Sequence, residues 1–234
     1  SLLATGVVIA SFLSFYALRT NRTYRLVVFL CACNFMSAAS YIVGMTRGTV
    51  GSSPRSLCVV SAAMAQYFDV ASFCWTVCIT YQVYVVLVAG EDKKGVDTTV
   101  RVMHGVSWGL PAVGLAVSGA LPSLGKAFGN AGSWCWITQD HQTLRAACYY
   151  GPLVVAWIVQ VCLYFRVVRS VKSMSAGPAL VWRLRLYVFA FVFLRAFGVA
   201  NRIQNALSDD PSVLLYALHS VASPWQGFVN ALLY

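Results

Sequence analysis

Acidic residues are scarce here, with only 7 Asp and Glu among 234 residues and charged types making up 10% of the chain. An ordinary soluble domain carries about a quarter charged residues, so a water-facing surface of normal composition cannot be built from this sequence. Histidine is limited to His104, His141 and His219, and none belongs to a metal cluster or a nucleophile–base pair. With the 8 cysteines lacking a zinc-site spacing, no enzyme site, metal or cofactor is expected. There is no internal repeat and no pair of broken apolar runs, so the inverted-repeat design of a transporter is absent too.

What is abundant is apolar surface: 59% of residues are hydrophobic and mean hydropathy is +0.70. The apolar runs fall at residues 1–18, 26–44, 58–89, 100–121, 146–168, 186–203 and 211–234. They are separated by turn-rich breaks at 46–54, 90–95, 175–178 and 208–211, among others. Seven helices of roughly 20 residues would leave short loops and no separate domain, so residues 1–234 read as one all-α, seven-transmembrane bundle in a polytopic membrane protein. The chain opens inside one apolar run and stops inside another, so terminal tails are expected beyond both ends. Residues 1–18 lack a basic leader and are read as a span instead of a signal peptide.

Arginine and lysine mark the sides of the membrane. Arg19, Arg22, Arg25, Lys93, Lys94, Arg101, Arg166, Arg169, Lys172, Arg183 and Arg185 lie beside alternate breaks, against Arg47, Arg55, Lys126, Arg145 and Arg202 beside the others. Cytoplasmic loops hold the excess, which puts the N-terminus outside and the C-terminus inside. The net charge of +10 is thus spent on topology and lipid attraction, and no nucleic-acid footprint is read from it. The Asn21-Arg22-Thr23 glycosylation triplet would face the cytoplasm and stay unmodified.

Polar residues recur inside the spans at helical spacing: Gln66, Asp69, Thr76 and Thr80 with Phe73, then Asn34, Ser37 and Tyr41, then Tyr216, His219, Ser223, Gln226, Asn230 and Tyr234. In lipid such stripes must face other helices or an internal cavity. Asp69 and Arg195 are the two charged residues deep in the runs. A 1.5 Å rise per residue puts each roughly 15 Å from its end of the span, near the midplane. An isolated charge there is costly, so the two are expected to pair between spans three and six. Cys31, Cys33, Cys74, Cys78 and Cys162 read as small core residues. Cys58 at the outer start of span three and Cys135 in the outer loop after span four are expected to form a disulfide on the oxidising side, with Cys148 the competing partner.

Cysteines at those two places mark G-protein-coupled receptors, and further residues narrow the group. Gln66-Tyr67-Phe68 with Trp75, Trp108-Gly109-Leu110-Pro111, Cys135-Trp136-Ile137, Tyr149-Tyr150 with Pro152, Asn201-Arg202-Ile203 and Gln226-Gly227-Phe228-Val229-Asn230 resemble the cyclic-AMP-receptor-like receptors, a group related to the secretin and adhesion receptors. The resemblance runs over essentially the whole chain. The acidic-Arg-Tyr triplet and the Asn-Pro-x-x-Tyr of rhodopsin-like receptors are missing. Lys93, Lys94, Lys126 and Lys172 are all read as loop residues, which leaves no helix lysine for a retinal Schiff base.

The resemblance implies a plasma-membrane receptor that binds a small extracellular ligand and signals to a heterotrimeric G-protein. Ligand-facing candidates are then Gln66, Asp69, Trp134, Trp136, Tyr149, Tyr150, Arg202, Tyr216 and His219, with Arg55, Lys126, Arg145 and Arg202 favouring an anion. Candidates facing the G-protein are Arg166, Arg169, Arg183, Arg185, Asn230 and Tyr234. The alternative is a non-signalling structural subunit whose partners are neighbouring membrane chains.

Overall fold

The computed structural model describes residues 2–49, 55–85, 88, 93–120, 127–131, 134–171, 178–207 and 212–233. The helices are α1 (Leu2–Ser14), α2 (Tyr16–Thr20), α3 (Arg22–Thr49), α4 (Arg55–Tyr84), α5 (Lys93–Ala120), α6 (Gln142–Arg145), α7 (Gly151–Val171), α8 (Pro178–Leu207) and α9 (Val213–Leu233). A π-helical turn, Ala146–Tyr150, leads into α7. Four stretches are long and apolar enough to cross a membrane: Tyr24–Thr46, Ser56–Tyr84, Asp97–Gly119 and Gln139–Ser170. Leu2–Ser14 and Val188–Asn201 are shorter apolar helices.

Apolar side chains left on the outside follow helical spacing. On α5 they are Val102, Val106, Leu110, Val113 and Val117, and on α9 Leu214, Leu218, Val221 and Trp225. Stripes of this size in water would be an association hazard, whereas acyl chains are the solvent such faces require. The chain is a helical membrane protein.

Packing is most extensive between α3 and α4, then between α8 and α9. Lipid tails are as apolar as the helix surfaces, so helix association there depends on close approach and interhelical polar contacts more than on apolar burial. The α3–α4 seam has the small residues that permit this: Cys33, Ser37, Ser40, Ser61, Ala62, Ala65 and Ser72 are all buried. The stripe from Gln66 through Asp69, Phe73 and Thr76 to Thr80 is buried throughout. Ser212 links α8 to α9: its amide donates to Gln204 Oε1 at 3.1 Å, and its hydroxyl accepts from the Leu215 amide, an N-cap for α9.

Several sequence expectations need correction. The first apolar run is not one helix to residue 18: it breaks at Phe15, whose backbone is extended (φ −103°, ψ 114°), and restarts as α2. Nothing in the local sequence explains that break. The fold is not purely helical, because Phe128–Asn130 (β1) and Cys135–Ile137 (β2) form an antiparallel hairpin between α5 and α6. Three-residue strands are too short to show an alternating pattern in sequence. Lys93 and Lys94 lie in the first turn of α5 and not in a loop. Cys162 is exposed, not core: it stands two residues, roughly 200° of helix, from Gln160, which is buried and donates to Thr80 Oγ1 at 2.8 Å.

Candidate functional site

Each element supplies the site with one or two side chains. On α4, Asp69 is 2% exposed and is the hub. Its Oδ1 accepts from Ser37 Oγ of α3 at 2.7 Å, and its Oδ2 accepts from Tyr41 OH at 2.8 Å and Tyr149 OH at 3.2 Å. From α8, Arg195, 4% exposed, places Nη2 3.4 Å from Asp69 Oδ1 and donates through Nη1 to Tyr149 OH at 3.0 Å. Its guanidinium lies 4.8 Å from the Phe73 ring centroid. Four helical segments thus meet on one carboxylate.

The ion pair is made incompletely. Charge-assisted N–H to carboxylate bonds run at about 2.7–2.9 Å and are often bidentate, whereas this one is a single contact at 3.4 Å. Arg195 Nε has no hydrogen-bond partner among the described residues, and neither does Asn34 Nδ2. Both residues line a cavity of about 330 Å³ bounded also by Leu2, Met45, Asp69 and Gly227, between α1, α3, α4, α8 and α9.

Over this network sits the hairpin. Cys135 is disulfide-bonded to Cys58, bridging 77 residues, and Cys148 is a free thiol. α3 passes so closely beneath that a Cβ on Gly44 would stand 3.1 Å from the Cys135 amide nitrogen. Beyond the disulfide, Gln66 ties the hairpin to the bundle. Its Oε1 accepts from Trp136 Nε1 at 2.9 Å while its Nε2 donates to the Cys148 carbonyl at 2.8 Å. That carbonyl is available because the residue four positions on, Pro152, has no N–H to offer it. The widened π turn at the same place is a form often found at functional sites.

Gln66→Leu is expected to strand both the Trp136 indole N–H and the Cys148 carbonyl. An unmet buried polar group costs about 1–3 kcal/mol, so a clear fall in the thermal midpoint of the detergent-solubilised protein is expected. An unchanged midpoint would mean that Gln66 does not hold the hairpin.

The sequence candidates therefore separate into groups. Asp69 and Tyr149 belong to the central network. Trp136 is committed to the hairpin tie, and Tyr150 packs edge-on against both Tyr149 and Trp136. Trp134 stacks on Tyr216 (5.7 Å between centroids) and meets His219 edge-on, and His219 Nδ1 lies 3.3 Å from Asn201 Nδ2. A Cβ on Gly198 would meet His219 Nε2 at 2.9 Å, so α8 and α9 touch at this ring. Arg166 and Arg169 are exposed on α7. The side chains of Arg55, Arg183, Arg185, Arg202 and Asn230, together with Lys126 and Tyr234 entirely, lie outside the described residues.

Arg145 departs from its expected part. It is 1% exposed, donates through Nε and Nη2 to the Ile137 carbonyl, and lies 5.1 Å from the Trp136 ring centroid. It is a hairpin anchor, not a charge presented to an anion. No sequence signal separates it from an interfacial arginine, since the carbonyl it serves belongs to a strand invisible in the pattern. Ser37 and Tyr41 were legible only as part of an interior stripe; their shared carboxylate is a tertiary fact.

Comparison with known proteins places the whole chain, residues 1–234, within the family model described as slime mold cyclic AMP receptor. Cyclic AMP receptor 4 of Dictyostelium discoideum is 27% identical over 180 residues, covering 73% of this chain and 39% of that protein. Cyclic AMP receptor-like protein A of Dictyostelium discoideum is 25% identical over 232 residues, 97% of this chain and 58% of its own length. G-protein coupled receptor 157 of Homo sapiens is 26% identical over 259 residues, covering all of this chain and 76% of that protein. The chain thus spans 39% and 58% of the two Dictyostelium relatives.

Proposed function

Since the chain belongs to the slime mold cyclic AMP receptor family, a family of G-protein-coupled-receptor type, we propose that it is a seven-transmembrane receptor of the plasma membrane that binds an extracellular ligand and signals to a heterotrimeric G-protein. On this reading α1, α3, α4, α5, α7, α8 and α9 all cross the bilayer, with the disulfide-bonded hairpin outside and Arg166 and Arg169 inside.

The observation that carries the proposal is the cavity beside the incomplete Asp69–Arg195 pair. A ligand there reaches two buried donors without partners, Asn34 Nδ2 and Arg195 Nε. Its chemistry is therefore that of a hydrogen-bond acceptor, with oxygen atoms and net negative or neutral charge. Drawing Arg195 toward the ligand lengthens a contact that is already long and shifts α8 relative to α4. A ligand shifts an equilibrium only by its unequal affinity for the two packings, and a charge that changes partner supplies that inequality. Of the remaining candidates, Trp134, Tyr216 and His219 line the seam through which α9 follows α8, and Gln66, Trp136 and Tyr150 hold the roof. Arg202 is retained as an outer contact, and Arg183, Arg185, Asn230 and Tyr234 as inner contacts for the G-protein.

The test is nucleotide exchange on a co-reconstituted heterotrimeric G-protein, using the full-length protein and a panel of acceptor-rich small molecules that includes cyclic nucleotides. Ligand-dependent exchange is expected, and its loss in Asn34→Leu. Silence toward the panel, with recovery of the protein in a stable complex with other membrane chains, would replace the receptor reading with that of a structural subunit.

A further inference from the structure

A second cavity lies at the opposite end of the bundle from the hairpin. α3 enters at Arg22 and passes under the hairpin at Gly44, a separation along the helix of about 33 Å. At the Arg22 end a cleft of about 460 Å³ opens between α1, the α2 corner, α3 and α5. Its rim holds Arg19, Arg22, Arg25 and Asp97; its walls are apolar, with Phe12, Val28, Phe29 and Val100.

The charges do not balance. Arg22 Nη2 pairs with Asp97 Oδ1 at 2.7 Å, with both side chains about half exposed. Arg25 uses Nε to hold the Arg19 carbonyl at 3.0 Å, and the Arg19 guanidinium lies 5.8 Å from the Tyr16 ring centroid. One carboxylate therefore faces three guanidinium groups. Arg19 and Arg25 have no anionic partner among the described residues. Below the rim the apolar wall does not end in a void: Phe29 stacks on Trp75 at 5.0 Å between centroids, and His104, which also lines the cleft, meets Trp75 edge-on at 4.9 Å.

A basic rim over an apolar wall, at a helix end, is shaped for an amphiphile with an anionic head. A free phosphate compound has no use for the Phe12, Val28 and Val100 surface, and an acidic peptide would leave it unfilled. We propose that this cleft seats an acidic phospholipid of the cytoplasmic leaflet, its phosphate-bearing head on Arg19, Arg22 and Arg25 and an acyl chain against Phe29 and Val100. The placement rests on the orientation proposed above. Asp97 competes with the lipid for Arg22, so it sets the affinity of the seat.

The probe is a fluorescent phosphatidylinositol bisphosphate titrated into the full-length protein in phosphatidylcholine nanodiscs, with inositol trisphosphate as the water-soluble head alone. Basic groups at a membrane surface each shift anionic-lipid binding by roughly fivefold. Arg22→Gln with Arg25→Gln is expected to weaken binding by about 25-fold on that basis. Asp97→Asn is expected to tighten it severalfold, and Arg166→Gln with Arg169→Gln, on α7 and not among the residues lining this cleft, to weaken it far less than the cleft pair does. The proposal is overturned if a fluorescent phosphatidylcholine titrated in the same way gives an equal signal, if inositol trisphosphate displaces the lipid as well as the lipid itself does, or if the α7 pair loses as much as the cleft pair. Should the cleft double variant fail to fold, an Asp97→Asn protein with unchanged affinity overturns it alone. The readout is lipid binding, so its failure leaves the nucleotide-exchange result standing.

Discussion

Asp69→Asn is expected to destabilise the protein by about 3–5 kcal/mol, the usual cost of removing one partner from a buried ion pair, and, under the proposed receptor function, to change basal nucleotide exchange on the G-protein. The substitution keeps the shape, so it adds no cavity. What it removes is the charge that compensates the Arg195 guanidinium, 4% exposed, among Phe73, Tyr149 and the helix backbones. Tyr41 and Tyr149 lose a charged acceptor at the same time, since both phenols donate to Asp69 Oδ2. The loss should be only partly reversed in Asp69→Leu with Arg195→Met: replacing a whole buried pair by apolar residues of similar volume is often neutral or stabilising, but Ser37, Tyr41 and Tyr149 are left without their acceptor. Thermal unfolding of the parent, Asp69→Leu, Arg195→Met and the double variant in one detergent measures the coupling directly as a double-mutant cycle. If Asp69→Asn leaves both the midpoint and basal exchange unchanged, the pair is neither a strut nor a lock.

Opening the Cys58–Cys135 bond is expected to cost about 2–4 kcal/mol, the second largest effect. The bridge closes 77 residues, and loop-closure entropy grows with the logarithm of that number. Cys58→Ser with Cys135→Ser should lower the thermal midpoint while Trp136–Gln66 and Arg145–Ile137 still tie β2 to the bundle. Those ties fix β2 but not the segment before it, so Trp134 should lose its stacking on Tyr216. Indole fluorescence and ligand-dependent exchange would then fall together. A reduced protein with the same midpoint and the same emission would show that the polar ties suffice without the bond.

The two charged positions show how far reading the residues reaches. Asp69 and Arg195 stood out because charge is rare in the apolar runs, and an unpaired charge at that depth is prohibitive. Equal depth from opposite ends of their helices was enough to bring them to one level. Their partners were harder. Ser37 and Tyr41 share one face of α3 by helical spacing, but whether that face turns toward α4 or α1 depends on helix rotation, which no local interaction sets. Arg145 shows the opposite failure: a buried arginine was read as an outer cation because the carbonyl it serves lies in a three-residue strand. The sequence expects Cys162 in the core and it is exposed, because the inward-facing polar residue of α7 is Gln160, and a residue two positions on turns roughly to the opposite side of a helix.

Scarcity of charge and length of apolar runs were sufficient, with no tertiary information, for a helical membrane protein and for the polar faces of α3 and α4. Those properties follow from the bilayer, which imposes the same requirements on every residue at a given depth. The break at Phe15, the hairpin, the choice of Cys135 over Cys148 as the partner of Cys58, the commitments of Gln66 and Arg145, and the two cavities came only with the assembled bundle. They arise from contacts between residues far apart in the chain, such as Gln66 with Cys148 and Asp69 with Arg195. Such contacts depend on the relative rotation and shift of whole helices, which are settled by packing between surfaces and not by any stretch of residues alone.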